Sequence, residues 1–191
     1  EALRQAQDDL GEHEATRLAR ARLADMAASL HASAGEREEA AQHTQAGLAF
    51  LKGRRGPEAN RVRAQLLGHD GQLAMLAEEY ESAAQLLKAS LATQEREGLR
   101  EDAALSLQRL GHAAFASGDL RRAEEHWRAS LERLEKLGDR RGVGMVRSSI
   151  GLLEVRRGSL LAAREELLQS LAIREEIGDR RGCAAALHNL G

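Results

Sequence analysis

Seven histidines, one cysteine and the adjacent glutamates Glu124-Glu125 and Glu165-Glu166 are among the groups in this 191-residue sequence that could bind a metal or move a proton. His13, His31, His43, His69, His112, His126 and His188 fall in no H-E-x-x-H arrangement, which would put two imidazoles one helical turn apart, and they form no close ligand cluster with Cys183. No metal is expected. Glu124-Glu125 and Glu165-Glu166 occur in successive copies of a repeat, so they read as solvated helix faces rather than as an acid/base pair. The glycines are not spaced as G-x-x-x-x-G-K, so no loop cradles a phosphate. Cys183 lies near a helix start, where the thiol could be acidified or simply packed. The sequence therefore predicts no catalytic residue and no cofactor, and it expects recognition by a surface instead.

The elements that position such a surface are repeated. Gly138-Asp139-Arg140-Arg141-Gly142 returns unchanged as Gly178-Asp179-Arg180-Arg181-Gly182, an offset of 40 residues, too long for one helix and too short for a domain. Imposing that offset brings out four columns: Gly71, Gly111, Gly151 and Gly191; Ala83, Ala123 and Ala163; Leu87, Trp127 and Leu167; Ser90, Ser130 and Ser170, each followed by leucine. Small residues held in register mark places where two helices come close. The punctuation is glycine plus a capping residue, at Gly118-Asp119, Gly138-Asp139, Gly158-Ser159 and Gly178-Asp179. Glycine adopts the left-handed conformation that ends a helix, and Asp or Ser accepts from the free N–H groups that open the next.

One array is predicted over 1–191, with helical hairpins at about 13–52, 57–97, 101–137 and 141–177 and partial repeats at 1–10 and 181–191. Pro57 should open a helix, where its missing N–H is harmless. Gly11 and Gly35 are further apart than Gly138 and Gly158, which one extra helical turn would explain. Neither end reads as a polar cap, so the array is expected to have sticky ends that support a homo-oligomer, or to continue in a longer parent chain.

Composition agrees with an all-α fold. Hydrophobic residues make up 42% of the chain, yet only Phe50, Tyr80, Phe115 and Trp127 are aromatic, and alanine and leucine dominate. With 28 basic and 30 acidic residues the formal charge is −2, so no global field draws the chain to nucleic acid or an anionic membrane. No apolar run approaches the roughly 20 residues that span a bilayer. A lone cysteine fits a reducing cytoplasm.

The columns resemble the tetratricopeptide repeat, in which a large residue, Leu-Gly, a second large residue and a later Ala-x3-Phe recur. The third unit supplies Leu107, Leu110-Gly111, Ala114, Ala123 and Trp127, while Ala114 and Glu154 stand where an aromatic is expected and Arg147 occupies the first large position of the fourth unit. The longer unit and the Gly-Asp ending are similar to the 40-residue variants of kinesin light chains, Pins-type adaptors and sensor arrays of bacterial regulators. The resemblance implies a right-handed α-solenoid whose first helices line a concave groove. Transferred position by position, the inward stripe comprises Gln65, Gly68, Gln72 and Met75; Leu105, Gln108, His112 and Phe115; Met145, Ser148, Leu152 and Val155; Ala185 and His188.

None of those positions is charged, although 30% of the chain is. Such a stripe either binds an extended peptide or partner helix through apolar contact and amide hydrogen bonds, or is buried by the solenoid's own winding. The residue before each Leu-Gly pair or its equivalent, Arg109 and Asn189 among them, either edges the groove or bonds to the next repeat. Arg140, Arg141, Arg180 and Arg181 oppose the helix dipole and are read as a basic edge facing away from the uncharged stripe, either paired on the surface or holding an acidic partner. The reading is a non-catalytic interaction module with a protein or peptide partner. A regulator's sensor array for a small ligand or for self-assembly is the alternative, and nucleic acid is not favoured because no aromatic platform exists for base stacking.

Overall fold

The computed structural model describes the backbone of residues 2–190 and the side chains of residue 13 and residues 15–190. Gly191, the last member of the glycine column, lies outside them. The described residues form helices joined by short turns, in two compact units, 1–98 and 99–191. The fold is all-α, of the helical-repeat solenoid class.

The first unit contains α1 (Ala2–Ala34), α2 (Arg37–Phe50), α3 (Pro57–Leu76) and α4 (Tyr80–Arg96). Here the structure corrects the sequence reading, because residues 2–10 are not a separate element. They continue into α1, and Gly11 is carried inside the helix. A single glycine costs about 1 kcal/mol relative to alanine, which flanks dense in Ala, Leu, Arg and Gln can absorb. Pro57 is the first residue of α3, as expected. α1 pairs with α2 and α3 with α4, and α3 also packs directly on α1. Ala21, Leu51, Ala59, Val62 and Leu66 form the core between them.

The second unit contains α5 (Arg100–Ala116), α6 (Leu120–Leu137), α7 (Arg140–Arg157), α8 (Leu160–Glu176) and α9 (Arg180–Leu190). Its hairpins are α5 with α6 and α7 with α8, and α9 packs on α8 and α7. The core comprises Ala104, Trp127, Leu131, Leu134, Val143, Val146, Ile150, Leu153 and Ile173.

The repeated columns are the joints of these hairpins. A Cβ on Gly71 would lie 2.8 Å from Leu87 Cγ, one on Gly151 2.7 Å from Leu167 Cγ, and one on Gly111 inside the indole of Trp127. Each glycine is the socket for the large residue of its own hairpin. The serine column ties the same helices through hydrogen bonds: Ser90 Oγ donates to Ala64 O (2.6 Å), Ser130 Oγ to Ala104 O (2.8 Å) and Ser170 Oγ to Gly144 O (2.6 Å). Two of the three sequence departures, Arg147 and Glu154, are also explained. Arg147 pairs with Glu166 at 2.9 Å and Glu135 at 3.1 Å, and Glu154 meets Arg157, which also reaches Glu124 at 2.7 Å. Ion pairs thus stand where the tetratricopeptide pattern has aromatic rings.

The pentapeptide resolves into a single device. Gly138 and Gly178 end their helices in the left-handed region (φ 72° and 70°). Asp139 Oδ1 then accepts from Gly142 N–H (2.9 Å) and Asp179 Oδ1 from Gly182 N–H (3.0 Å). The closing glycine leaves room for the cap, since a Cβ on Gly142 would lie 2.5 Å from Asp139 Oδ2. Ser159 was expected to cap α8 in the same way, but its hydroxyl makes no such bond.

Candidate functional site

The inward stripe is distributed unevenly between burial and solvent. In the first unit Gln72 is exposed, Gln65 and Met75 are half-buried and Gly68 is buried. In the second, Leu105, Met145, Leu152 and Val155 are 38–44% exposed, high for large apolar side chains, whereas Gln108 and Ser148 are buried. Ser148 is engaged in packing: its hydroxyl lies 2.8 Å from Ser170 Oγ, a bond that ties α7 to α8. His188 is exposed near the end of α9 and Asn189 beside it is half-buried.

The second unit gathers three of these residues around a cavity of about 480 Å³. Leu105 and Gln108 of α5 form one wall, Gly142 and Met145 of α7 the opposite wall, and Leu134 and Leu137 of α6 the base. Glu101, Asp102, Asp139 and Arg141 surround the mouth. The cavity exists because α5 and α7 stand apart here, while α7 and α9 touch. Gly142 adds no side chain to the space, and a Cβ there would lie 2.5 Å from Asp139 Oδ2 and 2.9 Å from Leu134 Cδ2. At Gly182 the equivalent volume is occupied by Arg174, whose nearly buried guanidinium donates to Ser170 Oγ.

Gln108 is the best-positioned polar group. Its carbonyl accepts from Trp127 Nε1–H (3.1 Å), which fixes the backbone from behind. The residue is only 6% exposed, and no hydrogen bond within the described residues reaches its side-chain amide, which therefore faces the cavity alone. Beyond the cavity the wall closes. His112 and Phe115 both pack against Trp127, at ring separations of 5.2 and 5.5 Å, and Arg156 of α7 lies over the Phe115 ring at 4.9 Å. Burial holds the His112 imidazole below its ordinary pKa, favouring the neutral ring. Arg109 is largely buried beside them; desolvation lowers its pKa and the charge of Asp102 opposes that shift.

The proposed basic edge divides. Arg140 pairs with Glu176. Arg141 instead lines the cavity together with Leu105, Gln108 and Met145, which corrects the expectation that the arginines face away from the stripe. Arg180 and Arg181 are exposed. Sequence reasoning missed Glu101, Asp102, Leu134, Leu137 and Gly142 as lining residues. A signal was present for Gly142 alone: it stands three residues after a capping aspartate in a pentapeptide that repeats.

Among the described residues no group of three or more His, Cys, Asp or Glu side chains could hold a metal, and no helix is long and apolar enough to cross a membrane.

No family model and no curated protein matches the sequence. Solved structures match the fold at low identity. Aspartyl phosphate phosphatase F from Bacillus subtilis superposes with a TM-score of 0.84 at 12% identity, over 91% of this chain and 45% of its own. The nearly identical TPR-like repeats of a Podosopora anserina kinesin light chain give 0.69 at 19% identity, over 91% and 84%. The Rap conjugation gene regulator of plasmid pLS20, in complex with the Phr* peptide, gives 0.65 at 11% identity, over 85% and 49%. The chain thus spans about half the length of the first and third of these proteins. Its fold is that of the tetratricopeptide-like helical repeat proteins.

Proposed function

We propose that the chain is a non-catalytic interaction module that holds a peptide or partner helix along the inward face of α5 and α7. The observation that carries this reading is the open cavity between those helices, where half-exposed Leu105 and Met145 flank the unpartnered amide of Gln108. Apolar side chains give a partner contact area, and a fixed amide can meet a peptide backbone as donor and acceptor at once. Leu152 and Val155 continue the apolar surface along α7. A structure of the same fold holds a peptide, which makes such an occupant reasonable here.

Selection of peptides from a display library against the immobilised chain tests the proposal. Leu105→Ala with Met145→Ala should reduce binding of the selected peptides at least tenfold while leaving helicity unchanged, because both side chains reach solvent and neither belongs to the buried core. Equal binding by the wild type and the double variant would overturn it. The cavity volume also lies in the range of small-molecule sites, roughly 300 to 1,000 Å³, which favours a second reading as a sensor of a small ligand. The two differ in footprint: a peptide also protects Leu152 and Val155, whereas a small ligand perturbs the cavity residues alone.

A further inference from the structure

Building on the peptide reading, we infer that the cavity between α5 and α7 is a specificity pocket for a basic side chain, an arginine or lysine of the bound segment. The lining carries the carboxylates of Glu101, Asp102 and Asp139 and the guanidinium of Arg141, and largely buried Arg109 lies within electrostatic reach of Asp102. Asp139 Oδ1 is engaged in capping Gly142, but Glu101 has no ion pair within the described residues, and Asp102 stands beside it one residue along α5. The rest of the lining is aliphatic: half-exposed Leu105 and Met145, half-buried Leu137 and buried Leu134. Apolar walls beside carboxylates match a side chain with a methylene stem and a cationic head.

The second, independent observation is Gln108. The residue is 6% exposed and lines the cavity, and no hydrogen bond within the described residues reaches its side-chain amide. Such a group is stabilised by an occupant that completes its hydrogen bonds. A guanidinium or ammonium can donate to its oxygen while donating also to Glu101 or Asp102, and a purely apolar occupant cannot. An anionic occupant would meet Arg141 favourably but would face three carboxylates. The balance of charge at the mouth therefore selects a cation, and Arg141 acts against it. Removing Arg141 should accordingly tighten binding, which a merely structural role for that exposed residue would not produce.

The test uses the full chain with ¹³C-methyl methionine, so that Met145 reports from the pocket wall, and the peptides Ac-Ala-Leu-X-Leu-Ala-NH2 with X = Arg, Lys, Leu, Gln or Glu. The Arg and Lys peptides are expected to shift the Met145 methyl saturably and to bind about tenfold more tightly than the Leu and Gln peptides, the Glu peptide being weakest, with the preference shrinking as salt is raised. Glu101→Gln with Asp102→Asn should erase the preference, and Arg141→Gln should strengthen binding of the Arg peptide severalfold. Glu101 and Arg141 are exposed and Asp102 is half-buried, and circular dichroism checks that the fold persists. Tighter binding of the Leu or Glu peptide, or weaker binding of the Arg peptide to Arg141→Gln, would overturn the basic-side-chain assignment while leaving the peptide groove standing. A Met145 methyl that responds to none of the five peptides would remove the pocket from peptide recognition altogether.

Discussion

α1 against α3 in the first unit and α5 against α7 in the second are the same kind of contact, between the leading helices of successive hairpins, yet one is closed and the other open. On α3 the position corresponding to Gly142 is Val62, which is buried in the core with Ala21, Leu51 and Leu66. α3 opens on Pro57 after Gly56, with no side-chain cap, so nothing prevents a branched residue from filling the space. On α7 the aspartate cap and Leu134 crowd that space, a Cβ on Gly142 lying 2.5 Å from Asp139 Oδ2 and 2.9 Å from Leu134 Cδ2. The polar fill differs too. Asp25 and His69 meet between α1 and α3 at 3.2 Å, mostly buried, whereas Gln108 between α5 and α7 faces a void. A helix start secured by Asp-x-x-Gly therefore leaves a hole in the layer beside it unless another side chain reaches over, as Arg174 does at Gly182.

The largest effect should come from the joint both units share. Gly111→Ala sets a methyl group inside the Trp127 indole and is expected to cost about 3 kcal/mol or to prevent folding, while Gly71→Ala, facing a leucine that can turn aside, should cost about 1 to 2 kcal/mol. Urea midpoints of the two variants decide this, and equal losses would show that the indole is no more rigid a neighbour than leucine. Next, Val62→Ala should cost about 2 to 3 kcal/mol in the closed contact. Gly142→Val in the open one should lose the cap and crowd Leu134, at about 2 kcal/mol, while abolishing any ligand response of Met145. If Gly142→Val retained that response, the cavity would not be the site.

Two smaller effects sharpen the picture. Arg156→Gln should remove the cation over Phe115 and destabilise the second unit by about 0.5 to 1 kcal/mol, measurable as faster amide exchange around Phe115. The smallest concerns pH. The folded chain holds His112 below its ordinary value of 6.5, so the unfolded state takes up the proton first as pH falls. The stabilisation is complete above that unfolded value and is lost progressively from about pH 6.5 down to the depressed folded pKa. Urea midpoints of the wild type should therefore decline across this window more steeply than those of His112→Gln, and parallel profiles would contradict the burial of the imidazole.

The fold was legible because its joints are made of a few residue types with little variation, Glu78 (φ 62°) being a departure at the left-handed turn. Glycine under Trp127 or Leu87, serine at the carbonyl of the preceding helix and glycine at the left-handed turn all recur at one spacing, so the sequence displays them. Boundaries set by sums of small preferences were less visible. Gly11 resembles a stop but lies inside α1, and Ser159 resembles a cap but bonds to no backbone N–H. The cavity was not legible, because it arises from what α5 and α7 fail to fill. Arg141 shows the limit well: its type and spacing match Arg140, yet one residue of helix rotation takes it to the cavity while Arg140 pairs with Glu176.

The pairing of each column glycine with the large residue of its own hairpin also bears on how such a chain can grow. Gly71 with Leu87, Gly111 with Trp127 and Gly151 with Leu167 each lie within one copy of the repeat, as do the serine bonds from Ser90, Ser130 and Ser170. A gene segment duplicated in whole hairpins carries every socket together with the side chain that fills it, whatever the cut point between copies. A recombination falling inside a hairpin would set one copy's socket against another copy's side chain. Leucine and tryptophan could then change places, and the mismatch around Trp127 would be the first to be eliminated.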